Sequence, residues 1–105
     1  MRYAARMGDM SKSERRRMNK IAEMGCILCH HLGYGDSPAE LHHPRTGVGM
    51  GRRAPNADVI PLCPNHHRLG NESLHVLGRK AFERMYGVTE GVLLEITLER
   101  LSENE

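Results

Sequence analysis

The stretch DVIPLCPNHH, residues 58–67, joins an apolar run to a cysteine, a proline and two adjacent histidines. The apolar, β-branched run predicts a short strand. Pro64 predicts the start of a helix or turn that would carry His66 and His67. A strand, a cysteine and a helical turn would therefore follow one another directly, with Cys63 where the strand ends.

An upstream cysteine pair shares this spacing. Two residues lie between Cys26 and Cys29, and 33 residues separate this pair from Cys63 and His66, which have the same spacing. Each pair can supply two ligands from one tight turn, and two such pairs complete a tetrahedral Zn²⁺ site. The alternative is a group of buried thiols that pack without metal. The apolar strand before Cys63 favours structural zinc, because a treble-clef arrangement requires it.

The composition indicates that the chain needs such an ion. Of its 105 residues 39% are hydrophobic, with no Trp, one Phe and three Tyr. A core of this kind is near the limit of what can fold alone, and zinc binding would add folding free energy. The odd number of cysteines argues against a disulfide framework. Neither a signal peptide nor an apolar run of membrane-spanning length is visible, so we expect a soluble cytoplasmic protein with no membrane partner.

Local patterns predict an α+β fold, with a small zinc-stapled treble-clef core and flanking helices. Ser11 and Glu14 have the spacing of a capping box, Gly87 is a candidate helix end, and Thr89 is a candidate cap. The expected helices are 12–24, 75–86 and 90–101, and the expected strands are 39–43 and 58–63.

The whole chain, residues 1–105, is expected to form one domain. A basic arm and helix would occupy residues 1–24, the zinc knuckles and metal core residues 25–75, and C-terminal helices residues 76–105. The last helix could cover the core or bind another protein.

A second polar set consists of His42, His43, His67, His75 and Asp58. Adjacent side chains on a strand point to opposite faces. If the two strands form a hairpin against the following helix, one of His42 and His43 faces that helix and the other faces outward. One strand histidine and His67 could then hold a divalent cation, while the other strand histidine accepts a proton from water.

The segments ELHHP and DVIPLCPNHH resemble the HNH (His-Me finger, ββα-metal) endonucleases with a zinc-knuckle frame. The resemblance implies that His43 is the general base and that His42 and His67 are ligands of a catalytic Mg²⁺, Mn²⁺ or Zn²⁺ ion. Asp58 stands where the family usually has Asn, and it could orient the imidazole in the same way. Asn56 and Asn65 are weaker candidates for that role.

This chain departs from the family pattern at the position of the third ligand of the catalytic ion. A ligand often lies one helical turn beyond the helix histidine, where this chain has Asn71. We choose His75 instead, on the condition that the segment RLGNES bends back. His30 and His31 are expected to be exposed, and they are the reserve if His66 does not bind zinc.

A narrower resemblance covers about residues 20–95. The segments MGCILC, ELHHP, IPLCPNHH and HVLGRKAFERMYGVTEGVLLE look like the phage recombination-enhancement nucleases, which cut DNA where a RecA filament has paired a strand. The resemblance implies DNA as substrate, RecA as partner, a phage or prophage origin, and importance for His75. Of these segments, the C-terminal one is the least specific.

The charge is unevenly distributed. The first 86 residues carry 14 Lys and Arg against eight Asp and Glu, whereas residues 87–105 carry five Glu and one Arg. A basic surface suits a polyanion such as DNA, but it can also be an ordinary solvated surface. Four aromatic residues are too few for single-strand stacking. The candidate phosphate contacts are Arg45, Arg52 and Arg53 between the strands, and Arg15, Arg16, Arg17 and Lys20 on the first helix.

Two functions fit these patterns. The first is a metal-dependent DNA endonuclease, and the second is a non-catalytic treble-clef module that binds DNA or protein. The coincidence of His42, His43, Asp58 and His67 at nuclease positions favours the endonuclease. A metal ion bound by His42 and His67 would separate the two.

Overall fold

A computed structural model describes residues 11–44 and 58–103 of the chain. The predictions for Arg45, Arg52, Arg53 and Asn56 lie outside these residues. Within them, the α+β class is confirmed, and no helix combines the length and apolar character needed to cross a membrane. The elements are α1 (Lys12–Glu23), α2 (Ile27–Leu32), β1 (Glu40–His42), β2 (Ile60–Leu62), α3 (Asn65–Leu69, a wide π-type turn), α4 (Leu74–Leu77), α5 (Arg79–Tyr86) and α6 (Glu90–Glu103).

Helix α1 begins at the predicted capping box. The Ser11 hydroxyl accepts the Glu14 N–H at 3.1 Å, and the Glu14 carboxylate accepts the Ser11 N–H at 3.1 Å. The two bonds satisfy donors that the first turn of a helix leaves unpaired. Met18 and Ile21 form the buried face of the helix and pack in one cluster with Leu101 of α6. This packing ties the two ends of the domain together.

Helix α2 was not among the predicted helices. Cys26 caps this helix through its side chain, whose sulfur accepts the Cys29 N–H at 3.4 Å. Ile27 and Leu28 are fully buried, and the helix ends at Gly33, whose φ of +82° favours glycine. The cap therefore places the sulfurs of Cys26 and Cys29 close together on one turn.

The two strands pair in antiparallel fashion, with Glu40 opposite Leu62 and His42 opposite Ile60. Pro61 is tolerated in β2 because each strand of a two-stranded sheet has one edge that needs no ladder hydrogen bonds. Every residue of β2 is buried. The core lies where β2, α2, α5 and α6 meet, around Phe82.

The C-terminal segment forms three helices where two were predicted. The expected helix 75–86 is interrupted at Gly78, whose φ of +83° and ψ of 158° lie outside any helical region. Helix α5 then ends at Gly87, as predicted, and α6 begins beside Thr89, whose hydroxyl accepts the Val92 N–H at 3.1 Å. The conformation of Gly78 therefore separates α4 from α5.

Candidate functional site

The four predicted zinc ligands lie together. Their donor atoms, the sulfurs of Cys26, Cys29 and Cys63 and one ring nitrogen of His66, are all within 4.8 Å of one another. The Nδ1 atom of His66 is 3.3 Å from the Cys63 sulfur and 3.5 Å from the Cys29 sulfur, which are 3.9 Å apart. A tetrahedron with Zn–S bonds of about 2.3 Å has edges of about 3.8 Å. The group therefore has the size and the donors to hold a metal ion such as zinc.

Burial of the cysteine cluster favours a neutral His66 ring, and it favours ionised cysteine sulfur only when a cation is bound. Burial raises the pKa of the Cys26 thiol to about 12, so ionisation of that thiol depends on a nearby positive charge. Burial also lowers the pKa of His66, which keeps its ring in the neutral form that binds metals. The Ser37 hydroxyl donates a hydrogen bond to the Cys29 sulfur at 3.3 Å.

A second cluster consists of His42, His67 and His75. Their ring centroids are 5.2 Å apart for His42 and His67, 4.5 Å for His67 and His75, and 6.4 Å for His42 and His75. One ring nitrogen from each lies within 4.8 Å of the others. His42 and His67 are buried, whereas His75 is exposed, so the cluster opens to solvent on one side.

His75 reaches this cluster by the bend that its prediction required. Helix α3 ends at Leu69, and Gly70 then takes an extended conformation. Ser73 caps α4 by accepting the Val76 N–H at 3.2 Å, which fixes the first turn that carries His75. Asn71, the alternative ligand position, is exposed.

Two buried carboxylates that sequence reasoning missed contact these histidines. Glu90 Oε2 lies 2.7 Å from His42 Nε2, and Glu40 Oε1 lies 2.7 Å from His67 Nδ1. Glu90 is 2% exposed and Glu40 is 4% exposed. Glu40 could have been found from the strand period, since it lies two residues before His42 on the same face. Glu90 is 48 residues from His42, and no local pattern indicates the contact.

The charges around Glu40 keep it ionised. Hydrogen bonds from Arg68 hold the pKa of the Glu40 carboxyl below its usual range. Burial lowers the pKa of His67, a shift that Glu40 opposes and that His42 and His75 reinforce. His67 is therefore neutral near pH 7, as a metal ligand must be.

His43 and Asp58 lie at the same end of the sheet. His43 follows β1 directly and Asp58 comes two residues before β2, so both lie just beyond the pair formed by His42 and Ile60. Both side chains are half-buried.

The basic residues of α1 differ in exposure. Arg16 and Lys20 are exposed, whereas Arg15 and Arg17 are half-buried. Within the part of the chain that the structure describes, the Nε atom of Arg17 is buried without a hydrogen-bond partner. His30 and His31 are exposed, as predicted, although they lie on α2. Of the four predicted phosphate contacts on α1, Arg16 and Lys20 are thus the best placed to meet a ligand in solvent.

The fold and these clusters define a small α+β domain with two candidate metal-binding sites. The chain matches the family model described as "Recombination enhancement, RecA-dependent nuclease" over residues 11–102, which takes in every helix and strand except the end of α6. The chain belongs to this family of RecA-dependent nucleases, and the narrower resemblance seen in the sequence is confirmed. A comparison with curated proteins found no match.

Proposed function

We propose that this nuclease is an HNH endonuclease that hydrolyses DNA phosphodiester bonds with a divalent cation. The observation that carries the proposal is the convergence of His42, His67 and His75 beside the end of the strand that bears His43. Membership of a nuclease family favours catalysis over the alternative of a non-catalytic zinc module.

The histidine cluster fits a catalytic cation. Imidazole nitrogens suit Zn²⁺ and bind Mn²⁺ more weakly, whereas Mg²⁺ prefers oxygen ligands and retains several waters. His42, His67 and His75 would hold the ion, and the exposure of His75 leaves a side open to water and a phosphate. When bound, such an ion supplies positive charge to phosphate oxygens as negative charge grows in the transition state.

His43 would act as the general base. Ordinary histidine side chains titrate near pH 6.5, so a large fraction is neutral and able to accept a proton at neutral pH. The His43 side chain is half-buried and follows directly after His42 at the end of β1, where it would accept a proton from a water beside the cation. Asp58, beside it at the end of the sheet, would accept the other imidazole N–H and orient the ring.

The DNA would be held through its phosphates. Arg16 and Lys20 on α1 are exposed, and they would be joined by Arg15 and Arg17 and by the inter-strand arginines Arg45, Arg52 and Arg53. The cysteine cluster would hold structural zinc. A RecA filament would be the partner that presents the DNA. The activity would then belong to the cytoplasm of a bacterial host, and the protein would have a phage or prophage origin.

The test is a cleavage assay on supercoiled plasmid and on circular single-stranded DNA, with Mg²⁺ or Mn²⁺, with and without RecA and ATP. The zinc-loaded protein should cut in a metal-dependent manner. His43→Ala should abolish cutting and preserve DNA binding, and His30→Ala, at an exposed α2 position, should cut normally. If His43→Ala cuts DNA at the wild-type rate, His43 is not the general base. If the wild-type protein cuts DNA under none of these conditions, the proposed endonuclease function is wrong.

A further inference from the structure

We propose that Glu90 and Glu40 are positioning residues that hold His42 and His67 in opposite imidazole tautomers. His42 would then offer Nδ1 to the cation, and His67 would offer Nε2. The inference rests on the proposed metal site, and it assigns the ring atoms and the two carboxylates that set them.

The contact between His42 and Glu90 fixes the first tautomer. Their side chains are 10% and 2% exposed, and the Nε2–Oε2 distance is 2.7 Å. If the Glu90 carboxylate is ionised it can only accept hydrogen bonds, and His42 then donates from Nε2. A neutral imidazole carries one ring proton, and the Nδ1 atom therefore retains the lone pair that a metal ion needs.

Contacts of α6 fix the position of Glu90 next to His42. Its backbone N–H donates to the Glu83 carboxylate at 2.8 Å, which joins the start of α6 to α5. Leu93 and Leu101 bury the same helix in the core, and the Thr97 hydroxyl is bonded to the Leu93 carbonyl oxygen at 2.8 Å. The carboxylate thus comes from a packed helix, which restricts the movement of the His42 ring.

The contact between His67 and Glu40 fixes the second tautomer. Glu40 Oε1 lies 2.7 Å from Nδ1 of His67, and Arg68 donates hydrogen bonds to both oxygens of this carboxylate. His67 must therefore donate from Nδ1, and its Nε2 atom retains the lone pair. Since Glu40 and His42 lie on one face of β1, a single strand supplies a ligand and the carboxylate that orients another ligand.

Carboxylates that accept the distal N–H of a ligating histidine fix its ring and raise its basicity. Loss of such a partner typically weakens metal binding by about 10–100-fold. The alternative is that Glu90 binds the cation itself and that the metal lies on His42 Nε2. The two arrangements differ in the atom of His42 that carries the proton, and this is measurable without any reaction.

The first experiment is a long-range ¹H–¹⁵N NMR spectrum of the histidine rings, recorded with zinc in the cysteine site and no second metal. His42 should appear as the Nε2–H tautomer and His67 as the Nδ1–H tautomer. Glu90→Ala should remove the fixed tautomer of His42, Glu90→Gln should retain it in part, and His67 should be unchanged in both. The matched control is Glu95→Gln, the same change at an exposed position of α6.

The second experiment measures Mn²⁺ binding to the same proteins by EPR. Mn²⁺ is chosen because it binds thiolates weakly and should not displace zinc from the cysteine site. Glu90→Ala should weaken binding by about 10–100-fold, Glu90→Gln should weaken it less, and Glu95→Gln should match the wild type. Zinc content verifies that each variant is folded.

The proposal is overturned if His42 carries its proton on Nδ1, if both rings show the same tautomer, or if both Glu90 variants bind Mn²⁺ as tightly as the wild type. Opposite tautomers together with weaker Mn²⁺ binding support it. Neither readout involves DNA, so a failure to cleave DNA with these results intact counts against the proposed function alone.

Discussion

Arg68 donates three hydrogen bonds to Glu40, from Nε to Oε1 at 2.9 Å, from Nε to Oε2 at 3.0 Å and from Nη2 to Oε2 at 2.6 Å. The carboxylate is 5% exposed, whereas the Arg68 side chain is 47% exposed. A guanidinium at the surface therefore compensates a carboxylate inside the protein. The same carboxylate contacts His67, so the pair joins the stability of the sheet to the geometry of the histidine cluster.

Arg68→Ala should lower the thermal midpoint of the zinc-loaded protein, because it leaves the buried Glu40 carboxylate without its countercharge. Arg68→Lys should lose less, since an ammonium retains the charge but cannot make the planar two-point contact. Arg84→Ala, at an exposed α5 position, is the control and should leave the midpoint unchanged. Differential scanning calorimetry measures all three. Equal midpoints for Arg68→Ala and the wild type would show that Glu40 tolerates the loss.

Gly78→Ala should destabilise the protein by about 1–3 kcal/mol, the usual range for a backbone conformation that side chains avoid. The cause is conformational, because an added Cβ at Gly78 would meet no described atom within 4 Å, yet φ is +83°. Gly91→Ala is the matched control within α6, and it should be neutral or stabilising by at most about 1 kcal/mol. Urea unfolding of the zinc-loaded variants measures both. A Gly78→Ala variant as stable as Gly91→Ala would contradict the conformation assigned between α4 and α5.

Features that depend on residues close together in the sequence were predicted correctly. The side chains of Ser11 and Glu14 meet three residues apart, and the cysteine pairs follow a spacing that metal geometry imposes. Helix α2 escaped prediction because cysteine is rarely considered a helix cap, although the Cys26 sulfur accepts the N–H that a serine or aspartate would accept. The break at Gly78 escaped because glycine also occurs inside helices.

The carboxylates of the site depend on tertiary structure. Glu90 reads as part of an acidic helix surface, and it is buried only because α6 packs across the sheet and brings it to His42. Glu40 belongs to the same segment, ELHHP, as His42 and His43. Its contact with His67 forms only because α3 brings the Nδ1 atom of His67 to the strand. The residue types and spacing of the candidate ligands were therefore readable from the sequence, whereas the carboxylates that contact the two histidines were not.

DNA binding should show a salt dependence that reports the arginines between the strands. If Arg52 and Arg53 each contact one phosphate, the double Ala variant should reduce the slope of log K against log [salt] by about two, at roughly 0.9 per contact. An Arg16→Ala, Lys20→Ala variant tests α1 separately, and Lys80→Ala, exposed on α5, is the control. Fluorescence anisotropy with labelled duplex DNA gives the slopes. An unchanged slope for the Arg52 and Arg53 variant would exclude these two residues from the interface.

Removal of metal from the cysteine cluster should unfold the domain, whereas disruption of the histidine cluster should not. Cys63 joins β2 to the sulfurs of α2, and the core residues of both elements pack in one cluster with Phe82. Structural zinc contributes on the order of 10 kcal/mol, which is comparable to the roughly 5–15 kcal/mol that stabilises a whole domain. Cys63→Ser or a strong chelator should therefore abolish the cooperative transition seen by circular dichroism.

His75→Ala is the contrasting variant. His75 is exposed on the short helix α4, so its loss should weaken Mn²⁺ binding and DNA cleavage but leave the bound zinc and the thermal midpoint nearly unchanged. Zinc content by mass spectrometry, measured beside the unfolding curves, separates the two clusters. A chelated protein or a Cys63→Ser variant that retained the wild-type transition would show that the core folds without metal, and the cysteine cluster would then be buried thiols packed together.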